Sequence, residues 1–261
     1  MGKPTLAVWK FTSCDGCQLT LLDCEDELLA IADAVQIKHF PEATRKDLPG
    51  PFDVSLVEGS ISTPAEAERI KRIREETGTL VAIGACATSG GIQALRNFAD
   101  LDEFQRIIYP HPEFLHSLEQ VAPIAAHVDV DYELRGCPID KRQLLGLLSA
   151  LLKGRRPDLP KGAVCNECKQ RGVNCLLVEG KEPCLGPITQ AGCGAICPSY
   201  NRGCYGCFGP SDSAQPEALI PVLSRLGLAD PDIVRMLRTY NAAAPKLAAA
   251  GDRLEGAHDD A

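Results

Sequence analysis

The chain has no excess of basic charge: 27 Lys and Arg stand against 35 Asp and Glu, for a net −8 over 261 residues. Nucleic acids and anionic membrane surfaces both select basic patches, so neither is expected as a partner. No apolar run approaches the roughly 20 residues of a membrane span. The longest, such as 144–152, are broken by Gly or Ser. The N-terminal Met-Gly-Lys-Pro-Thr-Leu-Ala-Val-Trp-Lys-Phe carries no long apolar leader core and no twin arginine. A cytoplasmic protein without direct membrane insertion is expected, unless a partner carries an export signal. There is no Walker motif and no dinucleotide fingerprint. The glycine-rich stretch 84–91 lacks both the GxGxxG spacing and the Lys-Ser/Thr of a phosphate loop. No Ser/His/Asp triad order is found, and no catalytic acid or base is assigned. His39, His111, His116, His127 and His258 all stand outside the cysteine clusters and read as surface or satisfied residues.

What the chain has in excess is cysteine, thirteen in all. Disulfides rarely persist in a reducing cytosol. Buried free thiols account for two or three cysteines, not for this density. Metal ligation is the remaining explanation.

The rest of the composition is ordinary for a globular protein, with 45% hydrophobic and 24% charged residues. The first half alternates strand and helix patterns. Strands are expected at 5–9, 35–40, 53–57, 79–83 and 128–134. One helix is expected over 19–31, with Leu19, Leu22, Leu28 and Leu29 near one face. Another starts at Thr63-Pro64, Thr as N-cap and Pro at the first position, and runs to about Thr77. A short helical stretch follows Gly90-Gly91, and Asp140 caps a helix to about Lys153. This alternation predicts an α/β fold, a doubly wound parallel sheet of flavodoxin-like type, over residues 1–155. Ligands of such sheets sit beyond the carboxyl ends of the strands. Cys14, Cys17, Cys86 and Cys137 each follow a predicted strand, so the architecture gathers them on one edge.

After the linker 154–162 the pattern changes. Eight cysteines fall between Cys165 and Cys207, among many Gly and Pro. Such a segment needs covalent or metal staples, and residues 163–261 are read as a small irregular cysteine-rich domain with C-terminal helices. The helical tail covers about 216–254, and 255–261 are expected to fray.

Cys14-Asp15-Gly16-Cys17 alone suits a thioredoxin-like redox pair as well as a metal site. The strand-end positions of Cys86 and Cys137, flanked by Gly84, Ala85, Gly136 and Pro138, favour the metal. Cys165, Cys168, Cys175 and Cys184 form a second set, and Cys193, Cys197, Cys204 and Cys207 a third. Four cysteines suit a cubane [4Fe–4S] centre, and structural zinc equally. Cys24 is left over and reads as a small buried hydrophobe.

With these residues in view, the chain resembles the small subunits of [NiFe] hydrogenases, in particular the cytosolic sulfhydrogenase delta-subunit type. The segments that carry the resemblance include Thr12-Ser13-Cys14-Asp15-Gly16-Cys17-Gln18-Leu19, Val57-Glu58-Gly59-Ser60, Ile83-Gly84-Ala85-Cys86-Ala87 and Gly136-Cys137-Pro138. They continue with Glu182-Pro183-Cys184-Leu185-Gly186-Pro187-Ile188-Thr189 and Cys204-Tyr205-Gly206-Cys207. The resemblance implies iron–sulfur rather than zinc, as three [4Fe–4S] clusters. Cys14, Cys17, Cys86 and Cys137 would hold the proximal one. Cys193, Cys197, Cys204 and Cys207 would hold the medial one, and Cys165, Cys168, Cys175 and Cys184 the distal one. Periplasmic relatives place His at the position of Cys165 and Pro near Cys197. The cysteines here imply an all-cysteine, four-iron set. The acidic residue that some relatives carry before the first cysteine is Ser13. The implied activity is that of a hydrogenase subunit, NAD(P)-linked, relaying electrons from a nickel–iron large subunit towards flavin/NAD(P) reductase and ferredoxin-like subunits. Two rivals stand beside it. One is the related 20 kDa-type subunit of the quinone-reducing respiratory complex, which shares the first domain but lacks the second. The other is a zinc-stapled interaction protein.

Overall fold

The computed structural model describes residues 2–180 and 182–259 and divides into two compact units, Met1–Pro157 and Asp158–Ala261. No helix among the described residues is long and apolar enough to cross a membrane.

The first unit is a five-stranded parallel sheet in the order β2-β1-β3-β4-β5. Its strands are β1 (Thr5–Lys10), β2 (Gln36–His39), β3 (Phe52–Glu58), β4 (Thr77–Ile83) and β5 (Tyr132–Leu134). Around them lie α1 (Gly16–Leu22), α2 (Asp26–Ala34), α3 (Pro64–Glu75), α4 (Gly84–Ser89), a 3-10 helix (Ile92–Phe98), α5 (Leu101–Ile108) and α6 (Lys141–Leu152). This is the expected flavodoxin-like, doubly wound order, whose switch point lies between β1 and β3. The central strands are covered on both faces, which is why they read as near-continuous apolar runs. Leu56, Val57, Leu80, Val81 and Ile83 are fully buried. α3 starts as expected, with a complete capping box of Thr63 and Glu66. The Asp140 side chain caps α6 by accepting from Arg142 N and Gln143 N.

Three details differ from expectation. The helix foreseen over 19–31 is two helices, broken at Asp23-Cys24-Glu25, where Glu25 takes φ 43. Of the leucines foreseen on one face there, Leu19 is 50% and Leu29 66% exposed, and Leu22 is buried only in part. α1 instead buries Cys17, Gln18 and Leu21, because it must present Cys17 to the sheet edge. The Leu28 side chain lies outside the described residues. The fifth strand is shortened to three residues, since only Val81–Ile83 of β4 offer it a partner. α5, unforeseen, has no buried residue.

The second unit holds α7 (Val164–Gln170), α8 (Ile196–Ser199), α9 (Pro216–Arg225), α10 (Asp230–Arg238) and α11 (Pro245–Asp259). α11 continues through Asp259, so the expected fraying from 255 is not seen up to that residue. The His258 side chain lies outside the described residues. The last three helices form the apolar core, in which Leu219, Leu223, Ile233, Leu237 and Leu247 surround Leu185 and Ile188. Among its described residues the cysteine-rich segment has a minor cluster of its own: Val164, Cys184, Ala195 and Cys204.

Candidate metal centres

The carboxyl ends of four adjacent strands build the first site. β1 leads into the Cys14–Cys17 turn. β3 ends on Glu58. β4 runs directly into α4, which carries Cys86, and β5 is followed by Gly136-Cys137. Ala85 N–H donates to Gly136 O at 2.7 Å, tying the β4 turn to the β5 turn and so Cys86 to Cys137. Gln93 ties the same region to β1: its Nε2 donates to Thr12 O at 2.6 Å and its Oε1 faces Cys86 Sγ at 3.6 Å. The Glu58 carboxylate, 2% exposed, accepts Cys17 N–H at 2.9 Å and Gln18 Nε2 at 2.8 Å.

Two glycines make room for sulfur. A Cβ at Gly84, whose φ is +86, would strike Cys17 Sγ. A Cβ at Gly91, φ +67, would lie 2.6 Å from Cys86 Sγ. Burial raises the thiols of Cys17, Cys86 and Cys137 above their ordinary range, Cys137 to about 11, and the neighbouring sulfurs and Glu58 add to the effect. Charge on Cys86 and Cys137 bears on Cys17, and charge on Cys14 bears on Cys86 and Cys137, so these thiols come from neighbouring turns of one sheet edge. A bound metal deprotonates a coordinating thiol outright, so a metal group held by Cys14, Cys17, Cys86 and Cys137 would supply positive charge beside Glu58.

In the second unit, Cys165 and Cys168 project from α7. Burial lifts the Cys168 thiol to about 11, and Cys165, Cys184, Cys175 and Cys193 contribute in that order. Cys165 feels Cys184 and Cys175. The position of a Cβ on Gly186 would lie 3.3 Å from Cys184 Sγ and 3.6 Å from Cys165 Sγ. Cys165, Cys168, Cys175 and Cys184 are thus neighbours, and Cys193 also neighbours Cys168. Cys193 neighbours Cys197 and Cys204 neighbours Cys207, while Cys184 also lies beside Cys204 and Cys197. Backbone amides already face these sulfurs. Cys204 N and Gly186 N donate to Cys184 Sγ at 3.1 and 3.4 Å, and Gly206 N donates to Cys204 Sγ at 3.4 Å. Such N–H···S contacts stabilise ligating thiolates and tune iron–sulfur potentials.

Cys24 joins none of these groups. It is fully buried, and its Sγ donates to Thr20 O at 3.4 Å. Sequence patterns alone did not reveal the contacts of Gln93, Glu58 or Glu167. Glu58 stood out only within a motif, and Glu167 only as a spacer between two cysteines.

Comparison with known proteins agrees with this fold. The family described as NADH ubiquinone oxidoreductase, 20 Kd subunit, matches residues 14–151. Sulfhydrogenase 2 subunit delta of Pyrococcus furiosus is 37% identical over 235 residues, covering 90% of this chain and 98% of its own. One subunit of the vhu F420-non-reducing hydrogenase of Methanocaldococcus jannaschii is 33% identical over 262 residues, covering 87% of this chain and 91% of its own. A crystal structure of NAD+-reducing [NiFe]-hydrogenase in the H2-reduced state aligns with TM-score 0.57 and 31% identity, over 61% of this chain and 96% of that one. Fold and site thus define an oxidoreductase subunit built on the 20 Kd-type α/β unit. The chain belongs to the hydrogenase small-subunit family, of the sulfhydrogenase delta type, and so to a hydrogenase complex. The family match ends before the cysteine-rich unit, whereas the Pyrococcus and Methanocaldococcus relatives span most of the chain. The quinone-reducing alternative is accordingly not favoured.

Proposed function

We propose that this chain is the electron-transfer small subunit of a [NiFe] hydrogenase and carries three [4Fe–4S] clusters. When bound, these supply one-electron redox sites between the nickel–iron centre of a large subunit and a flavin/NAD(P) reductase module. Cys14, Cys17, Cys86 and Cys137 would ligate the proximal cluster within residues 1–155. Cys193, Cys197, Cys204 and Cys207 would ligate the medial one, and Cys165, Cys168, Cys175 and Cys184 the distal one, within 163–261. The observation that carries this reading is the gathering of four thiols from three strand ends at one glycine-lined place. The chain's own residues hold, bury and hydrogen-bond the sulfurs, and none is proposed as a catalytic acid or base.

An exposed apolar surface supports a large partner. Phe98, Phe104, Ile107, Ile108 and Phe114 are 39–74% exposed along the 3-10 helix, α5 and the following turn. Exposed apolar side chains concentrated in one segment of this kind suit an interaction site. It continues from Ile92, which lies between Gly91 and Gln93, the two residues packed at Cys86. The large subunit would cover this face and so approach the proximal site. The likeness to an NAD+-reducing enzyme supports further flavin/NAD(P) reductase and ferredoxin-like partners, and a cytoplasmic setting belongs to this reading. The test is copurification under anaerobic conditions. A nickel-containing large subunit should accompany the chain, and the complex should reduce NAD(P)+ with H2. A monomer carrying zinc and no iron would overturn the proposal.

A further inference from the structure

Glu167 lies between Cys165 and Cys168 on α7, yet its carboxylate serves a different cysteine. Its Oε1 accepts Gly192 N–H at 2.9 Å, and its Oε2 accepts Ala195 N–H at 3.2 Å. Cys193 Sγ stands 4.0 Å from Oε2. One turn further on, Arg171 Nη1 donates to Gly194 O at 2.5 Å. Glu167 on α7 and Arg171 at its C-cap, four residues apart, therefore clasp the loop 192–195 by its amides and by its carbonyl.

The loop has reason to need a clasp. Gly192, Gly194 and Ala195 take φ of 136, 68 and 51. For alanine the left-handed region costs about 1–2 kcal/mol, and Ala195 has no side-chain polar atom to offset it. Charge-assisted bonds from two amides to one carboxylate are among the stronger local restraints. They fix where Cys193 presents its sulfur, next to the α7 pair.

The same carboxylate brings negative charge to that sulfur. Adding an electron beside it is less favourable, and net charge near a cluster is one of the factors that set its potential. We propose that Glu167 is a positioning residue that holds the Cys193 loop against α7 and lowers the reduction potential of the cluster ligated by Cys193. This rests on the reading of Cys193 as a cluster ligand.

The experiment uses the anaerobically purified hydrogenase complex. Iron and sulfide in the wild-type complex test the ligand reading by themselves, and absence of iron there defeats that reading rather than the role of Glu167. Glu167→Gln is nearly isosteric and removes the charge. An EPR-monitored redox titration should show full iron content, one cluster midpoint moved to more positive potential, and the other midpoints unchanged. Full iron with all midpoints at wild-type values overturns the proposal. Should Glu167→Gln lose iron, Arg171→Gln gives the second reading. It cuts the same clasp but removes positive charge, so the midpoint must move negative, and a positive move or none overturns the proposal.

Discussion

Glu58 Oε1 lies 2.9 Å from the backbone nitrogen of Cys17, a contact across 41 residues of sequence that joins the tip of β3 to the first cysteine turn. The other oxygen takes the Gln18 amide at 2.8 Å. Burial raises the carboxyl above its usual range, against the lowering effect of these two donors. Removing the acceptor leaves both donors unpaired in a buried place. Glu58→Ala should lower stability by about 2 kcal/mol and Glu58→Gln by less, as read by thermal unfolding of the anaerobic complex. Equal losses in the two variants would show that the hydrogen bonds do not matter.

The glycine cradle makes a contrasting prediction. Gly84→Ala and Gly91→Ala place a methyl group against Cys17 Sγ and Cys86 Sγ, in backbone conformations that alanine rarely adopts. Each should reduce iron by about a third, the share of one four-iron cluster among three. Gly146→Ala meets nothing within 4 Å inside α6. It should keep all its iron and gain about 0.5–1 kcal/mol from helix propensity.

Much of this architecture was legible in the sequence, because its signals are local. Apolar runs gave the central strands β3 and β4, Thr63-Pro64 gave the start of α3, and Asp140 gave the cap of α6. The strand-end placement of Cys14, Cys17, Cys86 and Cys137 followed from the fold class. What was not legible depends on contacts distant in sequence. The break at Asp23–Glu25 has no Gly or Pro to announce it, and the outward turn of Leu19 follows from the need to bury Cys17. α5 offers no inward face, so a pattern built on burial passes over it. The carboxylates of Glu58 and Glu167 gain their roles only when strands and loops far apart in sequence meet.

Cys24 separates ligands from ordinary thiols. It is buried but joins no cysteine group. Cys24→Ala should keep the full iron content and lose about 1 kcal/mol of burial. Cys137→Ala should lose the proximal cluster and H2-dependent activity. Iron loss in the Cys24 variant would break the partition of the thirteen cysteines.

The exposed α5 face is open to a charge test. Phe104 and Ile108 are 45% and 62% exposed, so Phe104→Glu with Ile108→Glu should change the chain's own stability little. Association with the large subunit should weaken at least about tenfold, the equivalent of ~1.4 kcal/mol, in pull-down or sedimentation. Undiminished association would place the large subunit elsewhere.

The central claim is that twelve of the thirteen cysteines hold three four-iron clusters. Metal and acid-labile sulfide analysis of the anaerobically purified complex, corrected for iron held by other subunits, tests it most directly. About twelve irons and a matching amount of sulfide per chain are predicted. Stoichiometric zinc without sulfide would contradict the account.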